Sequence, residues 1–323
     1  MDEQPIAQEN TVALHTDADA SVLRFERRLA HPPDKVWKAI TEPAEMAHWF
    51  PAEVRTELKP GARMQFTFPE GAPVDSGGDG EVLEFDPPKV YAFRWNNDVL
   101  RFELVADGAG TLLVFSHTLG GGGLGRLAAA RNAAGWDVCL DTLQARLAGD
   151  TFEYPTDWLG PMEGYIQRFG LDKGDIRSTP GGYTVHFARD LVWKPAEQVW
   201  ALLTEGAEPQ AGSEPPLPAT NGYVEAGPVT AVEAPRLLEY ESRHNGDRAG
   251  RVRWEIIHDP ALGTRVELTH TLPARLTDFR ATALAAWHVH LELFFAATHD
   301  DIRCPWPQER TEELQKHYRE QLR

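Results

Sequence analysis

From Leu23 to Leu29 the apolar residues Leu23, Phe25 and Leu29 fall on alternate positions, and Tyr183 to Leu191 alternates the same way. A period of two is that of a β-strand with one buried face. After the first run, Pro32-Pro33-Asp34 opens a helix, since proline is tolerated in a first turn and aspartate favours the helix dipole. Val36, Trp37 and Ile40 form its apolar stripe. Short strand-like runs bounded by Pro-Gly and Gly-rich turns follow at 62–68, 80–85, 89–95, 100–106 and 111–118. The series closes with a helix over 124–147, which carries Trp136, Leu140, Leu143 and Leu147 on one face. The pattern predicts an α+β domain, with a curved antiparallel sheet wrapped around a long C-terminal helix.

The pattern occurs twice. Phe25-Glu-Arg-Arg-Leu29, Pro32 and Val36-Trp37 return as Phe187-Ala-Arg-Asp-Leu191, Pro195 and Val199-Trp200. Val82 to Phe93 matches Val229 to Tyr240, and Arg101-Phe-Glu-Leu104 matches Arg253-Trp-Glu-Ile256. Ser116-His-Thr-Leu119 matches Thr269-His-Thr-Leu272, and each copy then has a tryptophan-bearing helix, at Trp136 or Trp287. The tails pair loosely, Trp158 and Tyr165 with Trp306 and Tyr318. Ordered matches in one register mark a tandem duplication. The expected division is a flexible arm at 1–20, a first domain at 21–149, a linker with a short helix at 150–182, a second domain at 183–303 and a helical tail at 304–323. Between Thr204 and Gly227 the second copy has a shorter Pro/Gly-rich stretch in place of a helix and hairpin. One wall of that domain is therefore expected to be reduced, making it a degenerate copy that supports its partner.

The quoted residues also resemble a known family. Arg27, Pro32, Val36-Trp37, Thr41-Glu42-Pro43, His48-Trp49-Phe50 and the Gly135-Trp136, Leu140, Leu143 helix are similar to the AHSA-type branch of the SRPBCC (START-like) superfamily. These are the activator of heat-shock-protein ATPase homologues. The resemblance covers about residues 21–169 directly and 183–323 through the repeat. It implies a helix-grip fold in which the long helix closes an apolar cavity, as in relatives from lipid carriers to polyketide cyclases. Fold analogy licenses a cavity better than any reaction.

Composition narrows the partners. The 49 acidic against 32 basic residues give a net charge of −17, which repels phosphate backbones and anionic lipid surfaces. Neither nucleic acid nor membrane is an expected partner. Two distant cysteines, Cys139 and Cys304, indicate no disulfide framework, and a cytoplasmic location is expected.

Strong catalytic motifs are absent from the sequence, and no cofactor is expected. The glycine run from Leu119 to Leu124 lacks the phosphate-loop lysine and reads as a hinge. His288 and His290 lie about 200° apart on a helix and make no metal pair, so no metal is expected. Strand alternation turns His117 and His270 inward, either as polar anchors to a ligand or as hydrogen-bonded core histidines. Arg27 and Arg189 share apolar strand faces, so each meets a buried carboxylate or a ligand's acidic group. The expected ligand-binding set is Trp49, Phe50, Phe66, Tyr91, Phe93, Trp95, Phe102, His117 and Trp136, with Arg189, Trp254, His270 and Trp287 as second-copy equivalents. The leading reading is a non-enzymatic binder of a small apolar molecule in the first domain. One alternative is a cyclase or aromatase using His117 and Arg27 as catalytic groups. Another is a co-chaperone with a protein partner, as the family name suggests.

Overall fold

The computed structural model describes residues 10–17, 20–70 and 78–323, and the chain divides into two compact units, Met1–Phe169 and Gly170–Arg323. In the first unit β1 (Thr11–Thr16), β2 (Ser21–Leu29), α1 (Pro33–Thr41), α2 (Pro43–Met46), β3 (Glu53–Thr56), β4 (Arg63–Thr67), β5 (Asp79–Asp86), β6 (Val90–Trp95), β7 (Asp98–Asp107) and β8 (Gly110–Leu119) precede α3 (Ala129–Ala148) and α4 (Leu159–Arg168). Its eight strands form one antiparallel sheet in the order β1-β2-β8-β7-β6-β5-β4-β3. In the second unit β9 (Asp175–Thr179), β10 (Gly182–Asp190), α5 (Ala196–Thr204), β11 (Glu225–Glu233), β12 (Leu237–His244), β13 (Asp247–Asp259) and β14 (Gly263–Pro273) precede α6 (Arg280–Ala297) and α7 (Gln308–Gln321). Its six strands lie in the order β11-β12-β13-β14-β10-β9, the same path less one hairpin.

Each unit is an α+β helix grip, with its long helix laid on the apolar face of its sheet. In the first, Leu23, Phe25, Phe93, Leu100, Phe102, Leu113 and Phe115 are buried from the strands, and Ala133, Trp136, Leu140, Leu143 and Leu147 from α3. The glycine run before α3 is a tight turn. At Gly125 an added Cβ would lie 1.7 Å from the Gly120 carbonyl oxygen, so only glycine fits.

The structure corrects three of the sequence-based boundaries. Of the expected arm at 1–20, residues 1–9, 18 and 19 lie outside the described residues, but Thr11–Thr16 is a strand paired with β2. Its Val12 is buried, and the Thr11 and Val12 carbonyls accept hydrogen bonds from Arg27 and Arg168. Residues 150–182 are not a linker. Within them α4 buries Met162 and Ile166 and packs on α3 in the first unit, while β9 pairs with β10 inside the second. The tail at 304–323 is part of the second unit, because α7 packs on α6 and buries Leu314 and Tyr318.

Between α5 and β11 the second unit has no counterpart of β3 and β4. Only Asn221 and Val224 bridge there, and Leu217–Ala219 makes one turn of 3-10 helix.

Candidate functional site

Alternation on β6 sends Tyr91, Phe93 and Trp95 to the same face as Phe102 on β7, Phe115 and His117 on β8 and Phe66 on β4. Trp49 and Phe50 follow α2, and the Trp49 indole N–H donates to the Ala39 carbonyl at 2.8 Å, fixing that corner. All nine residues expected to line the first domain converge here, and all except the partly exposed Trp95 are buried. Phe66 stacks on Trp95 with centroids 4.6 Å apart. Phe50 touches Trp136 at 5.7 Å, and Phe115 meets Trp136 at 4.6 Å. Such tilted and offset contacts are the favoured aromatic geometries.

Two polar groups stand inside this wall, in contrasting situations. The Trp136 indole N–H donates to His117 Nδ1 at 2.9 Å. An indole nitrogen can only donate, so Nδ1 is the bare nitrogen and Nε2 carries the ring proton. Nε2 therefore donates to Asp98 Oδ2 at 2.9 Å, while Asp98 Oδ1 accepts the Gly120 N–H at 2.6 Å. Both ring nitrogens of His117 are thus engaged internally. Tyr91 differs. Its ring is fully buried against Phe85 and Phe93, yet its hydroxyl has no hydrogen-bond partner among the described residues. Burial also pushes its ionisation well above the ordinary phenol range.

Arg27 is the buried half of an ion pair with Asp137 on α3, whose other oxygen accepts the Tyr165 hydroxyl. Its NH1 also donates to the Glu26 carbonyl at 3.2 Å and to that of Thr11 at 3.4 Å. Cys139, on the same helix, is a half-buried thiol whose pKa desolvation pushes up to about 12.

The second unit repeats the tryptophan–histidine bond. Trp287 donates to His270 Nδ1 at 3.1 Å, and His270 Nε2 donates to Ser242 Oγ at 3.2 Å. Burial lowers the His270 pKa to about 3, so this ring is neutral. At the place of Asp137 stands His288. Arg189 instead donates to the Asp172 carbonyl at 3.4 Å, and the carboxylate is supplied from outside the repeat by the same Asp172. His288 Nε2 lies 3.2 Å from both Asp172 Oδ2 and Glu292 Oε1, and its Nδ1 is 2.9 Å from the Tyr318 hydroxyl. Asp172, His288 and Glu292 present ligand atoms within 4.8 Å of one another, a set invisible to sequence spacing because Asp172 is remote in the chain. Arg310 sits 2.8 Å from Glu292, and the Arg189 charge acts on Asp172. Two guanidinium groups already neutralise two carboxylates, so a divalent cation would leave the cluster with excess positive charge.

The rest of the second interior is filled by its own rings. Trp254 packs 5.9 Å from Trp287 and 5.2 Å from His290. The position equivalent to Tyr91 is Leu238, which carries no polar atom.

Residues 30–148 match the model of a family described as activator of Hsp90 ATPase homolog 1-like protein. No curated protein is matched. Among solved structures, a conserved protein of unknown function, EF2215 from Enterococcus faecalis, is 21% identical, with 49% of this chain and 90% of that chain covered and a TM-score of 0.43. The crystal structure of CalU16 from Micromonospora echinospora is 22% identical over 51% of this chain and 96% of that one, at a TM-score of 0.40. The protein MLL2253 from Mesorhizobium loti is 25% identical over 41% and 99%, at 0.36. No helix among the described residues is long and apolar enough to cross a membrane.

Proposed function

We propose that the first unit, whose residues 30–148 match the activator of Hsp90 ATPase homolog 1-like family model, binds a small apolar molecule bearing one oxygen function. The ligand lies among the aromatic rings between the sheet and α3. The observation that carries this reading is the Tyr91 hydroxyl, fully buried and without a partner among the described residues. A buried hydroxyl left unpaired costs about 1–3 kcal/mol, so its retention is accounted for when a ligand oxygen completes it. The surrounding rings supply apolar wall, and the partly exposed Trp95 marks an approach from solvent. An acid/base role for His117 and Arg27 has less support, because internal partners occupy both nitrogens of the histidine and most donors of the arginine. A cavity reading is preferred to a chaperone-docking one, since the observations concentrate in the interior rather than on a surface.

The test is native mass spectrometry of the purified protein, followed by denaturing extraction. The expected result is one apolar species per chain, with occupancy reduced about fivefold to tenfold in Tyr91→Phe. An empty protein that shows no thermal shift across a panel of lipids and aromatic polyketides overturns the proposal.

A further inference from the structure

In the second unit three interior donors converge on two neighbouring backbone oxygens. The Tyr240 hydroxyl donates to the Ala219 carbonyl at 2.7 Å, and the Trp254 indole N–H donates to the same oxygen at 3.1 Å. His290 Nε2 donates to the Pro218 carbonyl at 2.8 Å. These donors come from β12, β13 and α6, while both oxygens belong to the short turn at 217–219.

The repeat shows that this set is particular to the second unit. In matching register, the first unit has Phe93 where Tyr240 stands, Phe102 where Trp254 stands and Cys139 where His290 stands. Three positions with little or no hydrogen-bonding capacity have all become strong donors, and all three are spent on adjacent carbonyls. The segment that brings those carbonyls is the one that replaces the β3–β4 hairpin.

That segment, Glu214 to Thr220 (EPPLPAT), is held as a strap. At its start the Gly212 N–H donates to the Val229 carbonyl and the Val229 N–H to that of Ser213, both at 2.8 Å. At its end Asn221 bridges to Val224. Between these anchors Ala219 is fully buried while Leu217 is 77% exposed, and a groove of about 390 Å³ runs along the outside, lined in part by Ser213, Pro215, Leu217 and Arg243. Prolines at 215, 216 and 218 fix φ and restrict the unbound chain, so holding this segment as a turn costs little entropy.

We infer that the interior of the second unit is a peptide-binding site, built for a proline-rich segment presenting two successive carbonyl oxygens and occupied in cis by residues 214–220. This site is separate from the small-molecule reading of the first unit, and either can fail without the other. Tethering gives the strap an effective concentration in the millimolar range, so a peptide in trans competes poorly with it in the native chain.

The experiment replaces residues 214–220 of the full chain by a Gly-Ser linker of equal length and titrates a fluorescent EPPLPAT peptide by anisotropy. The expected result is saturable binding at least a hundredfold tighter than to the native chain. Adding Tyr240→Phe to the replaced chain should weaken that binding about fivefold to tenfold. Should the replaced chain not fold alone, the peptide is supplied during refolding, and recovery of the native spectrum counts as binding. No binding by a folded replaced chain overturns the assignment. So does equal binding of a scrambled peptide, or no refolding at millimolar peptide.

Discussion

At the scale of single residues, the Trp136–His117 and Trp287–His270 bonds show how an aromatic interior accommodates imidazole. An indole N–H and an imidazole lone pair satisfy each other, and the remaining ring N–H finds Asp98 in one unit and Ser242 in the other. Removing the donor alone leaves a buried nitrogen unpaired, so Trp136→Phe should destabilise the protein by about 1–3 kcal/mol through that bond, beyond the loss of ring area. Urea unfolding reads the difference. Tyr91→Phe should do the opposite in ligand-free protein. It removes a hydroxyl that has no partner among the described residues, so the melting temperature should hold or rise while ligand occupancy falls. A drop in melting temperature of the empty protein would show that the hydroxyl has an internal partner. Alternation of side chains along β6 and β8 was enough to place Tyr91 and His117 inward. It could not say which of them was satisfied, because Trp136 and Asp98 come from other elements.

Among elements, the pairing of β2 with α3 and of β10 with α6 each carries an arginine into an apolar interface. In the first unit the counter-charge is Asp137 on the helix itself, held also by Tyr165 of α4. Asp137→Asn leaves Arg27 with a neutral amide in place of a carboxylate. It should cost about 2–4 kcal/mol, at the lower end because Asp137 is partly exposed, as measured by chemical denaturation. In the second unit the helix offers His288, and the acid arrives from Asp172 between α4 and β9. The same interface is thus balanced by a residue outside the repeat. Sequence comparison of the two copies paired Tyr165 with Tyr318, but the moved carboxylate was hidden by its distance along the chain. The strand character of residues 11–16 and 175–179 escaped the sequence for a different reason. Both are edge strands hydrogen-bonded on one side only, and too short for a periodic signal.

Across the molecule, the second unit concentrates groups whose folded forms resist protonation. Burial holds His290 down to about 4, against a weaker opposing effect of the Pro218 carbonyl, and burial holds His270 down to about 3. Burial raises the Glu292 pKa, but His288 and Arg310 outweigh it and bring the carboxyl to about 2. For each, the unfolded chain takes up its proton first as pH falls. The stability these groups contribute is intact above about pH 6.5 for the histidines and about 4.3 for the glutamate, and is lost on acidification towards the folded values. Thermal melting should therefore fall steadily from pH 7 to pH 4, and His290→Gln should flatten the slope above pH 4 by about one proton. An unchanged slope would mean that His290 is not held neutral by the fold.

The chain's own pattern determined the α+β grip, its repetition and the aromatic identity of the first interior. Period-two strands, a striped helix and matched tryptophans and histidines are local or in register, and a linear sequence displays both. Only the tertiary structure decided which buried polar atoms find partners, because partnership depends on atoms that meet from distant segments. By that route Asp98 completes His117 and Asp172 completes His288. Likewise the stretch after Thr204, which reads as a missing wall, brings its carbonyls to Tyr240, Trp254 and His290, while the Tyr91 hydroxyl in the first unit meets no partner among the described residues.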